Sequence, residues 1–188
     1  MAKIIALLLL LPVAAASAPV ADDERVPIDL RRTTLIVRDM DRSLEFYRDA
    51  LGLRVIYDNI IRTPRDAADD DAATRALRLV FLRANDDYVG IVGLLQYRKP
   101  VKPGAHQGDE PFSTGSIVLL FNSHDLESAF ARARAVNGVR VLSEPSLTHY
   151  PSYDGSGTIP VMVSVLTDPD GFVVELNQLL VDGPQRQR

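Results

Sequence analysis

Residues 35–52 read LIVRDMDRSLEFYRDALG, and this stretch predicts a strand that leads directly into a helix. The apolar run at 35–37 is typical of the end of a buried strand. Asp39 and Asp41 suit the start of the helix, because a carboxylate is stabilised beside unpaired N-terminal amides. The helix is predicted to end at Gly52, since glycine adopts a left-handed conformation at little cost. Its apolar stripe follows the helical period: Leu44, Phe46, Tyr47 and Leu51.

The same pattern occurs a second time. Residues 39–56 align without a gap with residues 125–142, and each copy carries an early Asp and a late Gly-x-Arg-Val. An apolar strand precedes each copy, and two strand-like runs follow it. We therefore predict an α+β fold made of two duplicated modules, each ordered strand, helix, strand, strand, strand. Two unrelated α+β pieces that share a helix pattern are the alternative.

Two short motifs resemble the signatures of a known superfamily. The opening motif comprises Val37-x-Asp39, Ser43, Phe46-Tyr47 and Leu51-Gly52, and the closing motif comprises Asp168-Pro169-Asp170-Gly171-Phe172 and Glu175. Together they resemble the vicinal oxygen chelate (VOC) superfamily, which contains glyoxalase I, bleomycin-resistance proteins and extradiol dioxygenases. The resemblance implies two βαβββ modules that form a cup-shaped mixed sheet around a small ligand.

The first 18 residues have the features of a signal peptide. Lys3 precedes a short apolar run at 4–11, and small residues at 14–18 suit signal peptidase, with cleavage expected after Ala16. The run is too short for a comfortable membrane span, so no stable span is expected after its removal. The chain has no cysteine, which excludes disulfides and lipoprotein attachment. We expect a periplasmic or secreted protein, with a retained anchor helix as the alternative.

The remaining sequence is long enough for one duplicated domain. We expect this domain to span residues 28–182, with module one at 28–99, a linker at 100–112 and module two at 113–182, before a tail at 183–188. The net charge of −4 and the lack of a basic patch disfavour nucleic acid as a partner. A homodimer is a further hypothesis, since members of the superfamily often pair or exchange modules.

Two insertions are expected at the same position of each module. In module one, residues 61–75 are interpreted as a solvated loop, because the run Asp69-Asp70-Asp71 lacks the ligand spacing of a calcium loop. In module two, residues 149–159 are interpreted as a loop that either closes over a ligand or lies free on the surface. The candidate ligand-binding residues in this second loop are His149, Tyr150 and Tyr153.

The VOC resemblance assigns four positions to a metal site, and this chain retains one ligand among them. Arg32 stands at the first position, where its permanent charge and lack of an acceptor exclude cation binding. Ser116, or Val118 by the repeat offset, stands at the second, and Gly93 at the third. Only Glu175 is a good ligand, and tight transition-metal sites need three or four protein groups. We therefore expect no bound metal and no cofactor, with a residual divalent ion at Glu175 as the alternative.

Three functions remain open at the sequence level. The first is an exported cup that binds a small organic molecule, lined by Arg32, Ser116, Gly93 and the tyrosine loop. The second is a glyoxalase-like lyase or isomerase, or a dioxygenase-type enzyme, in which Glu175 is a base and Arg32 binds an anionic group. The third is a non-catalytic interaction protein. We also expect Arg32 and Glu175 to face each other across the cup, where they would form an ion pair in the absence of a ligand.

Overall fold

The computed structural model describes residues 22–104, 111–152, 155 and 157–180. After a 3-10 turn (Asp22–Glu24), the elements of module one are β1 (Arg32–Ile36), α1 (Met40–Leu44) with a π-helical continuation (Glu45–Ala50), β2 (Arg54–Thr63), β3 (Arg75–Arg83) and β4 (Ile91–Lys99). Those of module two are β5 (Val118–Asn122), α2 (Leu126–Arg134), β6 (Arg140–Pro151), β7 (Thr158–Thr167) and β8 (Val173–Leu179).

The strands form two four-stranded mixed sheets with identical topology. Sheet one has the order β1-β4-β3-β2, and sheet two has the order β5-β8-β7-β6. In each sheet the first strand pairs with the last in parallel, and the other neighbours are antiparallel. The predicted α+β class and the duplication of a βαβββ module are therefore confirmed.

The start of each helix follows from an aspartate that the two copies share. Asp39 accepts hydrogen bonds from the amides of Asp41 and Arg42, and Asp125 accepts one from the amide of Ser128. At the other end, Gly52 directly follows the C-cap of the module-one helix with φ of 81°, a region that other residues rarely adopt. In module two the helix ends earlier, at Arg134, and Gly138 (φ of 93°) lies in the turn that leads into β6.

One apolar core joins the two modules through their helices. It contains Phe46 and Tyr47 of module one, Phe130 of module two, and buried residues from both sheets. Arg132 adds a hydrogen bond from its Nε to the carbonyl of Ala50, 2.9 Å away. Each sheet therefore packs one face against helices and leaves the other face open. Within the described residues, no helix is long and apolar enough to cross a membrane.

Both predicted insertions are shorter than expected because the hairpin strands continue into them. β2 extends to Thr63, and β6 and β7 include residues 149–151 and 158–159 of the supposed second loop. In the first insertion, the aspartate run is held by arginines: Asp70 accepts hydrogen bonds from Nε of Arg62 and from Nε of Arg98. At the end of the second hairpin, the Ser152 amide donates to the carbonyl of Gly157.

Candidate functional site

The open face of each sheet follows from the alternation of side chains along a strand. In β1, Leu35 is buried in the core, so Arg32, Thr34 and Ile36 lie on the opposite side. In β8, Val174 and Leu176 are buried in the core, so Glu175 and Asn177 lie on the side away from the helices. We call these two surfaces the open face of sheet one and the open face of sheet two.

Arg32 lies on the open face of sheet one, above an aromatic stack. Its guanidinium carbon is 4.0 Å from the centroid of the Phe81 ring, and Phe81 stacks on Tyr57 with centroids 4.9 Å apart. Its Nε donates to the Thr34 hydroxyl at 2.9 Å. Gly93 makes this arrangement possible, because a Cβ there would lie 2.9 Å from Arg32 Cδ and 2.7 Å from Thr34 Oγ1. The glycine at a predicted ligand position thus provides space for the arginine.

Glu175 and Asn177 lie two residues apart on the open face of sheet two. The Asn177 Nδ2 donates to Glu175 Oε1 at 2.8 Å. Asn177 is 8% exposed, and its Oδ1 is buried without a hydrogen-bond donor among the described residues. Glu175 is half-buried, and no described Lys, Arg or His forms an ion pair with it. The result is an acceptor-rich group on this face.

The expected ion pair between Arg32 and Glu175 is wrong for the single chain. The hydrogen bond of Arg32 goes to Thr34 and that of Glu175 comes from Asn177, and no salt bridge joins the two described side chains. The physical reason is the packing of the modules, which meet through their helices and leave the two open faces on different sheets.

The other predicted site residues do not all lie on the open face of sheet two. Ser116 precedes β5 in an exposed turn, where its Oγ is 3.2 Å from Ser113 Oγ. Tyr150 pairs with Ile159 in the hairpin of sheet two, and strand alternation puts it on the same face as Glu175. His149 lies on the opposite face. Its partner Pro160 is next to Val161 in β7, and Val161 pairs with Leu179 on the face of Glu175, so Pro160 and His149 point to the other side. Tyr153 lies outside the described residues.

The donors at the four metal positions do not fit a transition-metal site. Arg32 is a cation, Gly93 has no side chain, Ser116 lies in a turn, and Glu175 alone supplies a carboxylate. Among the residues that the structure describes, no group of three or more His, Cys, Asp or Glu side chains has a metal-binding arrangement. We therefore derive no chemical step through a metal ion.

The two signature motifs contact each other and join the modules. The Tyr47 hydroxyl donates to Asp168 Oδ2 at 2.9 Å, and both side chains are fully buried. Asp168 Oδ1 accepts from the amides of Asp170 and Phe172. Arg38 donates from its Nε to Asp170 Oδ1 at 2.8 Å. In this chain these motif residues therefore stabilise the fold and lie away from both open faces, whereas Glu175 of the closing motif lies on the open face of sheet two.

Burial changes the acidity of this cross-module pair. Desolvation raises the pKa of Asp168 from 3.8 to about 6, although the hydrogen bonds from Tyr47 and Phe172 favour the charged carboxylate. Desolvation and the neighbouring Asp168 raise the pKa of Tyr47 well above its ordinary value. Asp168 is therefore a carboxyl group inside the core whose pKa is about 6.

Two surface cavities lie elsewhere. One, of about 530 Å³, is lined by charged side chains of sheet one, including Arg78 in a salt bridge with Asp58. The other, of about 550 Å³, lies between the modules and is lined by Arg54, Asn85 and His124 among others. Neither of these two cavities includes Arg32 or Glu175 in its lining.

Sequence reasoning missed the residues that surround the predicted ones. Phe81 and Tyr57 belong to strands whose register with β1 and β4 no local pattern reveals. Asn177 carried a usable signal, since a residue two positions after Glu175 in a strand shares its face. Asp168 and Tyr47 belong to the signature motifs, but nothing in the motifs indicates that they touch.

Comparison with known proteins gives a family model and a set of similar folds. The model of the Glyoxalase/Bleomycin resistance protein/Dioxygenase superfamily matches residues 29–176. No curated protein matches the chain. A glyoxalase family protein from Bacillus cereus has a TM-score of 0.63 at 12% identity, covering 86% of this chain and 100% of its own.

Two further solved structures have similar folds. A glyoxalase-related enzyme from Fulvimarina pelagi has a TM-score of 0.50 at 17% identity, with 80% of this chain and 87% of its own covered. A V278E glyoxalase I mutant from Zea mays has a TM-score of 0.51 at 17% identity, with 79% of this chain and 45% of its own covered. At these identities the similarity concerns the fold alone.

Proposed function

The chain belongs to the Glyoxalase/Bleomycin resistance protein/Dioxygenase superfamily, and we propose that it binds a small organic carboxylate through Arg32. The observation that carries this proposal is a guanidinium on an open sheet face with no carboxylate partner among the described residues. Its Nε is occupied by Thr34, which leaves both Nη nitrogens for a ligand. Two parallel N–H donors match the geometry of a carboxylate.

The surroundings of Arg32 suit a ligand with an apolar body. Phe81 supports the guanidinium from below, which limits its conformational freedom before binding. On the same face, Ile36 is 50% exposed and Tyr57 is 37% exposed, and Leu95 pairs with Ile36. An aromatic or aliphatic carboxylate would cover this apolar surface while its charge meets Arg32.

Benzoate and benzamide form a matched pair of probes for this site. We expect benzoate to shift the Arg32 Nε–Hε resonance and to bind about tenfold more weakly to the Arg32→Gln variant, since charge-assisted hydrogen bonds contribute about 1.5–3 kcal/mol. Arg65→Gln, at an exposed arginine in the loop after β2, is the control. Equal binding of benzamide, or an equal loss in Arg65→Gln, would contradict the proposal.

A second copy of the chain is the proposed cover of the open faces. Leu120 on sheet two is 59% exposed, and Ile36 on sheet one is half exposed, so both faces present apolar surface. In a two-fold dimer the unlike faces would enclose one cup, with Arg32 on one wall, Glu175 of the partner subunit on the other and the ligand between them. Light scattering should give twice the mass of the denatured chain, and Leu120→Lys should give monomers. A monomeric wild-type protein would exclude this part of the proposal.

The proposed place of action is the periplasm or the exterior of the cell, and the ligand is proposed to bind without metal. The first statement rests on the signal-like residues 1–18, which lie outside the described range, and N-terminal sequencing of the product should begin after Ala16. The second rests on the poor donor set around Glu175. Elemental analysis of protein purified without chelator should find no stoichiometric metal, and a stoichiometric ion would contradict it.

A lyase or isomerase activity is the second candidate, favoured by the Oε2 atom of Glu175, which has no partner among the described residues. A general base needs an ionised carboxylate within reach of the proton that it removes. Phenylpyruvate is a suitable probe, because it combines a carboxylate with exchangeable C–H groups. Wild-type protein should speed deuterium exchange at these groups and Glu175→Gln should not, whereas equal rates would end this candidate.

A further inference from the structure

The amide of Asn177 holds the carboxylate of Glu175 at an energetic cost. Asn177 Nδ2 donates to Glu175 Oε1 at 2.8 Å, which fixes one oxygen and leaves Oε2 without a described partner. The reverse orientation of the amide would bring its oxygen against the carboxylate, so the observed orientation is the favourable one. That choice leaves Asn177 Oδ1 buried and unpaired among the described residues. Buried polar atoms are nearly always paired, so this exception needs an explanation.

Among the residues that the structure describes, no positively charged side chain forms an ion pair with Glu175. The strand neighbours of Glu175 are Leu120 and Val165, and those of Asn177 are Asn122 and Val163. Within the described part of the chain, no Lys, Arg or His is paired with Glu175. Glu175 thus presents an oriented carboxylate oxygen on a partly apolar face and has no cationic partner among the described residues. A ligand with a positively charged hydrogen-bond donor would complement this oxygen.

We propose that Glu175 binds the ammonium group of a small organic amine through Oε2, with Asn177 as the positioning residue. The inference rests on the proposed function, in which the open faces hold a small ligand, and it adds a second recognition group of opposite charge to Arg32. An ammonium group donates three hydrogen bonds and accepts none, so it complements an acceptor that is already oriented. The ligand class is therefore an amine on sheet two and a carboxylate on sheet one.

Benzylamine and benzyl alcohol test this subsite in the full chain. We expect benzylamine to shift the side-chain amide resonances of Asn177, and benzyl alcohol to do so much less. Glu175→Gln should weaken benzylamine binding about tenfold, and Asn177→Leu should weaken it severalfold. Asn137→Leu, at an exposed asparagine after α2, makes the same chemical change and should leave benzylamine binding unchanged.

Stability separates a positioning role from a structural one. Leucine is close to asparagine in size and removes the unpaired buried oxygen, so Asn177→Leu should unfold at the same or higher temperature while binding benzylamine more weakly. Destabilisation of Asn177→Leu together with unchanged benzylamine binding would overturn the inference. If that variant does not fold, the effect of benzylamine on the wild-type Asn177 resonances decides the question.

The benzoate experiment distinguishes the two proposals. If benzoate binds at Arg32 and benzylamine causes no change at Asn177, the ammonium subsite is refuted and the carboxylate site stands. If neither probe binds, both proposals fail. Competition of Mg²⁺ with benzylamine at equal concentration would also refute the subsite, since it would show a general cation site.

Discussion

Replacing Asp168 with asparagine is expected to remove a pH dependence from the stability of this protein. The Asp168 carboxyl is fully buried between the helix of module one and the start of β8, where it accepts hydrogen bonds from Tyr47 and from two backbone amides. Desolvation raises its pKa from 3.8 to about 6 in the folded state. The unfolded chain exposes the same carboxyl to water, where its pKa returns to the ordinary value.

The sign of the effect follows from proton linkage. Between these two pKa values the folded protein binds more protons at Asp168 than the unfolded chain, so stability falls as pH rises. The contribution of Asp168 is fully present below pH 3.8 and is lost as pH rises through about 6. A difference of about two pKa units corresponds to about 3 kcal/mol in the free energy of unfolding.

Urea unfolding of wild type and Asp168→Asn between about pH 4 and about pH 7 measures the contribution of Asp168 to the free energy of unfolding. Asparagine keeps an oxygen that can accept from the amides of Asp170 and Phe172. Because asparagine does not titrate, the lost contact with Tyr47 changes the free energy of unfolding by the same amount at every pH. Other carboxyl groups titrate in both proteins and cancel in the difference. Asp168→Asn should therefore gain about 2.4 kcal/mol relative to wild type across this range, which covers most of the full effect.

The control is Asp66→Asn, which makes the same change at an exposed loop residue. Its stability should follow that of wild type at every pH. Parallel profiles for wild type and Asp168→Asn would refute the reasoning, because they would mean that the buried carboxyl keeps its solution pKa in the folded protein.

Three further predictions concern single contacts. Tyr47→Phe removes the hydrogen bond that favours the ionised form of Asp168, so the pH-dependent loss of stability should extend above pH 6; an unchanged midpoint in the same unfolding series would speak against it. Gly52→Ala should cost about 1–2 kcal/mol in urea unfolding, because φ is 81° and no neighbour lies within 4 Å of the new Cβ; no loss would show that the helix end can relax. Gly93→Ala should cost about 1–3 kcal/mol and weaken benzoate binding, because the new Cβ meets Arg32 and Thr34; unaltered benzoate affinity in a titration would show that Arg32 need not lie on Phe81.

The fold could be predicted because its signals are local and occur twice. Asp39 and Asp125 cap helices through their own neighbouring amides, and Gly52 and Gly138 turn the chain toward the next strand by backbone conformation alone. Each signal therefore acts within a few residues. The lengths of the hairpins were misjudged for the opposite reason: Pro151 and the residues before it are held in β6 by pairing with β7, a contact that local composition does not reveal.

The site could be predicted only in part, because its chemistry depends on neighbours from other strands. Arg32 and Glu175 were found by position, but Phe81 beneath the arginine is set by the register of β3 with β4. The predicted pairing of Arg32 with Glu175 is wrong for the single chain because the modules meet through their helices, which leaves the two open faces on different sheets. Module orientation is decided by helix packing, in contacts such as that between Arg132 and Ala50.

The packing of the modules through their helices also separates the residues that stabilise the fold from those proposed to bind a ligand. The side chains that hold the molecule together, such as Tyr47 and Asp168, lie on the inner side of each sheet, and Arg32 and Glu175 lie on the outer side. Substitutions on the outer side leave the inner contacts intact. A lineage built on this plan can therefore exchange one ligand chemistry for another on the outer faces while the contact between Tyr47 and Asp168 stays in place.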